Sequence, residues 1–312
     1  MPVILHWLGP VMDELLTNLT ATPAARVTDY AGRKGFDENF LGLPVPLPVL
    51  AGVNTALLPY THFSVLMRLN KRLAAVTGVG IDGEKLMDLD RAGIPWKLDP
   101  RLPAGQQTGE RVYARNDIDR GHLVRRSSAV WGDSVAEAQL ANEDTFHYTN
   151  AAPQAAQFNQ GIELWLGIED YLQEHAAQYR SRVVVFTGPI FSDTDPVYRG
   201  VDIPLRFFKV AAFIHEGELA ATGYVVDQTP QLAELPDVPR PGVTEDVPPL
   251  GPFRTFQVPI RDIAVLTELD VDQLIEVDRM PIAATLGAAP VGSTWRTLGN
   301  VEDLDLDFDL ED

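Results

Sequence analysis

Runs of apolar residues in the middle of the chain predict two β-hairpins. Residues 63–67 and 73–79 are rich in branched side chains and flank the basic turn 68–72, which is typical of two antiparallel strands. Residues 207–214 and 220–226 repeat the arrangement around the polar turn 215–218. Residues 182–186 form a fifth apolar run, which we expect to end at Thr187-Gly188-Pro189.

Helical spacing of apolar residues predicts one long helix over residues 157–179. The apolar positions that recur at intervals of three to four are Phe158, Ile162, Trp165, Leu166, Ile168 and Leu172. Residues 256–269 are interpreted as a strand followed by a helix, and residues 11–19 as a short helix. The elements together predict an α+β fold with a mostly antiparallel central sheet flanked by helices.

Proline and acidic residues predict the boundaries of the folded part. Prolines at alternate positions in residues 43–48 favour extended chain, so residues 1–50 are interpreted as an N-terminal arm. Residues 87–118 and the proline-rich residues 228–252 are expected to be loops. Residues 51–275 are then the folded domain, and residues 276–312 an acidic C-terminal tail, with seven acids in the last eleven residues.

Composition restricts the classes of protein that remain. The 312 residues are 45% hydrophobic and 22% charged, which is ordinary for a folded chain. The absence of cysteine excludes disulfides, thiolate metal sites and a cysteine nucleophile. No apolar run of about 18 residues is present, so no membrane span is expected. The first residues lack the pattern of a secretory signal, and we expect a cytoplasmic protein.

Charge is unevenly distributed along the chain. The net charge of −19 argues against a general nucleic-acid coat or a polybasic membrane binder. Residues 97–126, however, contain seven basic and four acidic residues, a local charge of +3. Exposed charges more than about 10 Å apart are largely screened, so this segment can form a positive cleft for a polyanion.

Residues suited to phosphodiester hydrolysis lie within this basic segment. Asp119-Arg120-Gly121-His122 combines a guanidinium, which can donate two hydrogen bonds to a phosphate, with an imidazole that can accept a proton near neutral pH. The segments that follow are N-x-x-P-Q at residues 150–154, F-N-Q at 158–160, W-x-x-x-E at 165–169 and V-F-T-G-P at 185–189.

In this order and spacing, the motifs resemble those of the DNA/RNA non-specific endonucleases of the ββα-metal superfamily, over about residues 57–269. The resemblance implies a ββα-metal finger in which His122 is the general base and Arg120 lies near the scissile phosphate. It also implies that Asn159 is the direct ligand of Mg²⁺, with Mn²⁺ as the alternative ion, and that Glu169 holds metal-bound waters. Asn150 then supports the site, whereas Asp119 holds the loop by hydrogen bonds.

Two departures from the family pattern leave alternatives open. Ten residues separate Asn159 from Glu169, against eight in the relatives, so Glu163 is the other candidate for the glutamate. A second phosphate-binding arginine upstream of the motif has no clear counterpart. The candidates are Arg91, Arg101, Arg111 and Arg115. Arg115 and Arg125 are taken as substrate or support residues.

Several other motifs have simpler interpretations. His147, among aromatic residues, is expected to be packed, and the segment 215–218 lacks the second histidine of a zinc protease. The basic turn 68–72 is more simply a solvated turn than a substrate contact. Ser127 and Ser128 lack the flanking pattern of a nucleophile elbow.

These residues predict an Mg²⁺-dependent endonuclease that cleaves DNA and RNA without sugar specificity. The alternative is a non-catalytic nucleic-acid-binding or scaffold protein that keeps the fold. The resemblance also implies a homodimer, and no membrane partner is expected. We expect an inhibitor or activating partner because an unrestrained nuclease would damage its own cell, and a defence or self-damage role follows from that reasoning. The ring nitrogens of His122 are expected to be open to solvent.

Overall fold

The computed structural model describes residues 30–160, 169, 173–174, 176–178, 180–239, 255–280, 290–299 and 303. The chain separates into two units, Met1–Gly32 and Arg33–Asp312. The description below concerns the second unit. The helix predicted over residues 11–19 lies outside the described residues.

Fourteen strands are described in the second unit. They are β1 Val49–Leu50, β2 Thr55–Pro59, β3 Phe63–Arg68, β4 Leu73–Asp82, β5 Ile118–His122, β6 Ala151–Ala155, β7 Arg182–Ile190, β8 Val197–Tyr198, β9 Val201–Asp202, β10 Arg206–His215, β11 Glu218–Asp227, β12 Thr255–Val258, β13 Leu269–Asp270 and β14 Arg296–Thr297. Both predicted hairpins are confirmed, as β3–β4 and β10–β11.

The helices are short. They are α1 Glu110–Tyr113, α2 Arg126–Ala129, α3 Val135–Asp144, α4 Ala156–Gln160, α5 Thr229–Ala233, α6 Ile260–Thr267 and α7 Asp272–Ile275, with 3₁₀ turns at Ala104–Gln106 and Tyr148–Asn150. Local chemistry explains their ends: the Ser134 hydroxyl accepts a hydrogen bond from the Glu137 amide at the start of α3. Glu268 ends α6 in a left-handed conformation with φ of 61°.

An eight-stranded antiparallel sheet organises the unit, in the order β14-β12-β11-β10-β7-β4-β3-β2. Its central strands β4 and β7 are almost entirely buried on both faces, which is why they are continuous apolar runs rather than alternating ones. The α+β fold with a mostly antiparallel sheet is confirmed.

The two faces of the sheet are covered differently. One face is dry: Phe186 and Phe208 pack with Phe36, Phe40 and other residues of the segment before β1, and with α6. The other face lies beneath β6 and α2, and from it Thr187 and Lys209 project towards polar groups of the site. The site is therefore built on the polar face of a rigid sheet.

Several element boundaries differ from the expectation. β7 does not end at Thr187 but continues to Ile190, because residues beyond Thr187 have left the pairing with β4 and tolerate a proline. The loop predicted from residue 228 begins with α5. β14 lies inside the predicted acidic tail and pairs with β12. The three-part division of the chain otherwise stays a prediction.

The long predicted helix over residues 157–179 is only partly described. Residues 156–160 form α4, and Glu169, Gln173, Glu174 and 176–178 are helical. Glu163, Trp165 and His175 lie outside the described residues. In the part of the chain that the structure covers, no helix is long and apolar enough to cross a membrane.

Candidate nuclease site

A two-stranded hairpin followed by a helix carries the predicted site. β5 and β6 pair antiparallel, with Asp119 opposite Gln154 and His122 opposite Ala151, and α4 follows β6 directly. Successive side chains of a strand point to opposite faces, so Asp119 and Gly121 share one face whereas Arg120 and His122 share the other. This is the strand, loop and helix arrangement predicted for the finger.

Oxygen and amide groups meet at the Asp119 end of the hairpin. Oδ2 of Asp119 accepts hydrogen bonds from Nδ2 of Asn159 at 3.0 Å and from Nε2 of Gln160 at 2.9 Å. Because its amide nitrogen is bonded to Asp119, the carbonyl oxygen of Asn159 keeps its capacity to accept a further bond. The structure thus brings Asp119 and Asn159 together, and adds Gln160 to them.

Aromatic rings surround the histidine at the other end. The imidazole of His122 lies against Trp96, with centroids 4.7 Å apart, and edge-to-face against Phe146 at 5.2 Å. Burial, reinforced by the charges of Arg126 and Arg91, lowers the pKa of His122 to about 3. The ring is therefore neutral at pH 7.

Our expectation that both ring nitrogens are open to solvent is wrong for one of them. Nε2 of His122 is buried and has no hydrogen-bond partner among the described residues. The side chain as a whole is only half-buried. Nδ1 is consequently the nitrogen through which the ring can reach water.

Arg120 is held in place by a carboxylate and a ring. Its Nη2 donates to Oε2 of Glu110, which also accepts from the Tyr148 hydroxyl, and its guanidinium lies 5.5 Å from the centre of the Tyr113 ring. These hydrogen bonds, from Tyr148 first and then Arg120, lower the pKa of Glu110. Glu110 was not among the predicted site residues, although it lies only ten positions before Arg120.

Asn150 holds the backbone of the residues that follow His122. Its fully buried side chain accepts from the amide of Val124 at 2.9 Å and donates to the carbonyls of Val124 and Thr145, each at 3.1 Å. The backbone carbonyl of Asn150 also accepts from the Leu123 amide. These bonds set the direction in which β5 ends, which supports the predicted structural role of Asn150.

Gly121 makes room for a side chain. A Cβ atom at residue 121 would lie 1.9 Å from Oε1 of Gln154. Gln154 is fully buried, and both polar atoms of its side chain lack partners among the described residues. The side chain that needs the space beside residue 121 is therefore that of Gln154.

Glu169 is placed differently from the expectation. We predicted a carboxylate open to metal-bound waters, but Glu169 is only 8% exposed and accepts from Nζ of Lys209 at 3.0 Å. Lys209 also donates to Oγ1 of Thr187. Burial lowers the pKa of Lys209, an effect that Glu169 opposes and Arg125 reinforces. Lys209 is the reason for this difference. The sequence predicted that it lies on a strand but did not indicate that it pairs with Glu169.

Arg125 and Arg115, the two arginines predicted to contact substrate or support the site, lie in different places. Arg125 lines a small cavity with Leu123, Glu169 and Lys209, so it lies within the site. Arg115 is exposed in the turn before β5, with a left-handed φ of 56°.

Among the candidates for a second phosphate-binding arginine, Arg101 is bonded to the buried Asp99. Arg91 is near enough to His122 to lower the pKa of its imidazole.

Sequence reasoning missed Trp96, Gln154, Lys209 and Arg126. Trp96 and Lys209 approach the site from segments far along the chain, and no local pattern marks them. Arg126 donates to the carbonyl of Leu89 at 2.7 Å and thereby holds the segment that carries Arg91 and Trp96. Gln154 belongs to a motif that was recognised, and Gly121, which leaves space for the Gln154 side chain, was the signal that could have indicated its burial.

Comparisons with known proteins agree with this arrangement. The model of the DNA/RNA non-specific endonuclease family matches residues 48–278. The chain is 33% identical over 301 residues to the uncharacterized protein y4fB of Sinorhizobium fredii, covering 88% of this chain and 43% of that one. It is 28% identical over 162 residues to mitochondrial endonuclease G of Homo sapiens, covering 48% and 52% of the two chains.

A fungal relative and a solved structure extend the comparison. Nuclease C1 of Cunninghamella echinulata is 31% identical over 154 residues, covering 45% of this chain and 58% of that one. The crystal structure of the EndoG/EndoGI complex matches with a TM-score of 0.52 and 19% identity, over 68% of this chain and 84% of that one, which shows a shared fold. The chain spans about half the length of the curated relatives it matches.

Proposed function

Because the chain belongs to the DNA/RNA non-specific endonuclease family, we propose that it hydrolyses phosphodiester bonds in DNA and RNA. The observation that carries the proposal is the hairpin β5–β6, which holds a neutral imidazole at one end and a cluster of amide and carboxylate oxygens at the other. Two relatives, endonuclease G and nuclease C1, are named as nucleases.

His122 acts as the general base in this proposal. With its pKa lowered to about 3, the imidazole is unprotonated at pH 7 and can take a proton from the attacking water through Nδ1. Such a low pKa makes a weak base in the free protein. The negative charge of a bound phosphate favours the imidazolium and raises this pKa as the substrate enters.

The oxygens of Asn159 and Asp119 fit a hard divalent cation. Mg²⁺ prefers oxygen ligands and keeps several waters, and Mn²⁺ accepts the same donors. Among the described residues, no cluster of three or more histidine or acidic side chains could hold a metal. The site therefore suits a cation bound through the carbonyl oxygen of Asn159, with Asp119 nearby. A bound cation supplies electrostatic stabilisation of the leaving oxygen.

Arg120 positions the phosphate. Glu110 engages one terminal nitrogen of the guanidinium, and Nε is buried without a partner among the described residues. The pairing with Glu110 thereby fixes the plane of the Arg120 guanidinium before substrate binds. Its Nη1 is available to a phosphate oxygen. Lys209 keeps Glu169 in place by direct pairing, so both act as positioning residues beneath the hairpin.

The proposal also includes the partners of this protein, its location in the cell and its biological role. An inhibitor is favoured because the solved relative, EndoG, was crystallised with EndoGI. We also propose a homodimer, a cytoplasmic location and a defence or self-damage role. Gel filtration tests the first of these, fractionation the second, and survival of cells expressing the active and inactive forms the third.

Digestion of plasmid DNA and of RNA tests the proposed activity. Wild-type protein is incubated with Mg²⁺, with Mn²⁺ and with EDTA, and cleavage of both nucleic acids is expected only with a divalent cation. Binding without cleavage under every condition would instead establish the alternative, a non-catalytic nucleic-acid-binding protein.

A further inference from the structure

A second cavity lies beside the Arg120–Glu110 pair, outside the hairpin. Its volume is about 280 Å³, and Arg72, Thr108, Glu110 and Arg111 are among the residues that line it. Glu110 belongs to both places, because its carboxylate faces Arg120 and Tyr148 while the residue also borders the cavity. We call this cavity the arginine pocket.

The arginines around the pocket are bonded to carbonyl groups. Nη2 of Arg72 donates to the carbonyl of Gly200. Nη2 of Arg111 donates to the carbonyl of Arg199 at 3.0 Å, and Nη1 of Arg199 donates to the carbonyls of Arg111 and Ala114 at 2.9 and 2.7 Å.

No ion pair links any of these three guanidiniums to a carboxylate within the described part of the chain. Arg72 and Arg111 thus line the pocket, and Arg199 lies beside Arg111, without an ion pair among the described residues, in a protein whose net charge is −19. An arginine bonded to one carbonyl still has several N–H donors, and like charges held close together favour an anion between them.

A buried hydroxyl completes the donor set. Thr108 lines the pocket and is only 2% exposed, yet its Oγ1 lacks a hydrogen-bond partner among the described residues. Leaving a buried hydroxyl unpaired is unfavourable, so its retention needs an explanation. A ligand with acceptor oxygens would satisfy it.

We propose that the arginine pocket binds a backbone phosphate of the nucleic acid, adjacent to the phosphate that is cleaved. Arg72 and Arg111 supply positive charge, and Thr108 supplies a neutral donor. Glu110 is the acid facing the pocket, and its carboxylate is already engaged by Arg120 and Tyr148. The proposal rests on the proposed nuclease function, since it extends the substrate path of that site.

The competing explanation is that the arginines only tie the β8–β9 turn to α1. Substitutions separate the two explanations, because glutamine keeps an N–H donor for the carbonyl and removes the charge, whereas lysine keeps the charge. Thr108→Val removes the hydroxyl with little change of shape. The matched control is Arg180→Gln, which removes an exposed arginine paired with Glu84.

The test measures binding of a labelled DNA duplex by fluorescence anisotropy at several salt concentrations. All proteins carry His122→Ala, so that Mg²⁺ can be present without cleavage. Each phosphate contact contributes about 0.9 to the slope of log affinity against log salt. We expect the Arg72→Gln/Arg111→Gln double variant to reduce the slope by about that amount and each single variant to reduce it by a part of it. Thr108→Val should weaken binding with the slope unchanged. Arg111→Lys and Arg180→Gln should keep the parental slope.

The outcomes separate the pocket from the nuclease function. A folded Arg72→Gln/Arg111→Gln double variant with the parental slope overturns the proposal, even though the parent binds DNA normally. Stabilisation by inorganic phosphate that is lost in this double variant, together with an unchanged DNA slope, assigns the pocket to free phosphate and also overturns it. Absence of any DNA binding by the parent contradicts the proposed function itself.

Discussion

The two ends of strand β5 differ sharply in their surroundings. At one end, Asp119 accepts hydrogen bonds from the amides of Asn159 and Gln160, and the groups are polar and partly open. At the other end, His122 lies between Trp96 and Phe146 with one ring nitrogen buried. Hydrated oxygens suit a cation, and an enclosed ring suits a neutral base.

This difference shows how one short strand can serve two chemical tasks. The side chains alternate between the two faces of β5, and the faces meet different parts of the fold. Aromatic packing shields Nε2 of the imidazole from water, whereas the amide cluster is polar and partly open. We therefore expect substitutions at the two ends to affect different steps of catalysis.

The largest effect is expected from removing the imidazole. His122→Ala should lower kcat by about 10²–10⁴-fold, because a general base contributes an acceleration of that order. His215→Ala, at the half-buried end of β10, is the control and should keep full activity. Steady-state plasmid cleavage measures both. Equal rates for wild type and His122→Ala would remove His122 from the mechanism.

The next effect concerns the ion pair beneath the hairpin. Lys209→Met should destabilise the protein by about 3–5 kcal/mol, because it removes the cation that pairs with the buried carboxylate of Glu169. The double variant Lys209→Met/Glu169→Leu should recover much of this loss. Denaturant unfolding gives the free energies.

Lys71→Met serves as the control for that comparison. It breaks a pair with Asp202 in which both side chains are partly exposed, and should cost about 0–1 kcal/mol. If the single Lys209 variant and the double variant were equally stable, the pair would not be the source of the effect.

A smaller effect is expected at the glycine of the motif. Gly121→Ala would place a methyl group against Gln154 and should cost about 1–3 kcal/mol through overpacking. Gly105→Ala is the matched control, since its Cβ would meet nothing within 4 Å. Thermal unfolding compares the two. Relief of the Gly121→Ala loss by Gln154→Ala would identify the clash, and an unchanged loss would refute it.

The smallest effect is on the pH dependence. The pH dependence of kcat/KM reports pKa values of the free enzyme. Its acid limb should therefore be centred well below pH 6.5, the ordinary pKa of histidine. The ring loses its proton above about pH 3, so activity from this group should be level between pH 6 and 8. A limb centred near pH 6.5 would show that the imidazole is solvated.

Sequence alone predicted the parts of the fold that depend on local pattern. The β3–β4 and β10–β11 hairpins follow from apolar runs around polar turns. The family resemblance, and not local pattern, placed Asp119 and Asn159 in one site. In the structure a hydrogen bond joins their side chains.

Contacts between distant segments could not be read from the sequence. Trp96 covers His122 from a loop 26 residues earlier, and Lys209 reaches Glu169 from a strand 40 residues later. The sequence therefore suggested an open imidazole and a solvated glutamate. The structure instead buries Nε2 of His122 and nearly all of Glu169, because burial depends on tertiary packing that the neighbours in sequence do not specify.

A substrate with a good leaving group tests the central claim, that the two ends of β5 perform different tasks. Cleavage rates are measured for His122→Ala and Asn159→Ala with an ordinary dinucleotide and with a nucleoside p-nitrophenyl phosphodiester. A p-nitrophenolate needs little stabilisation, so the defect of Asn159→Ala should shrink with the ester while that of His122→Ala persists. Equal defects of both variants on both substrates would contradict the account.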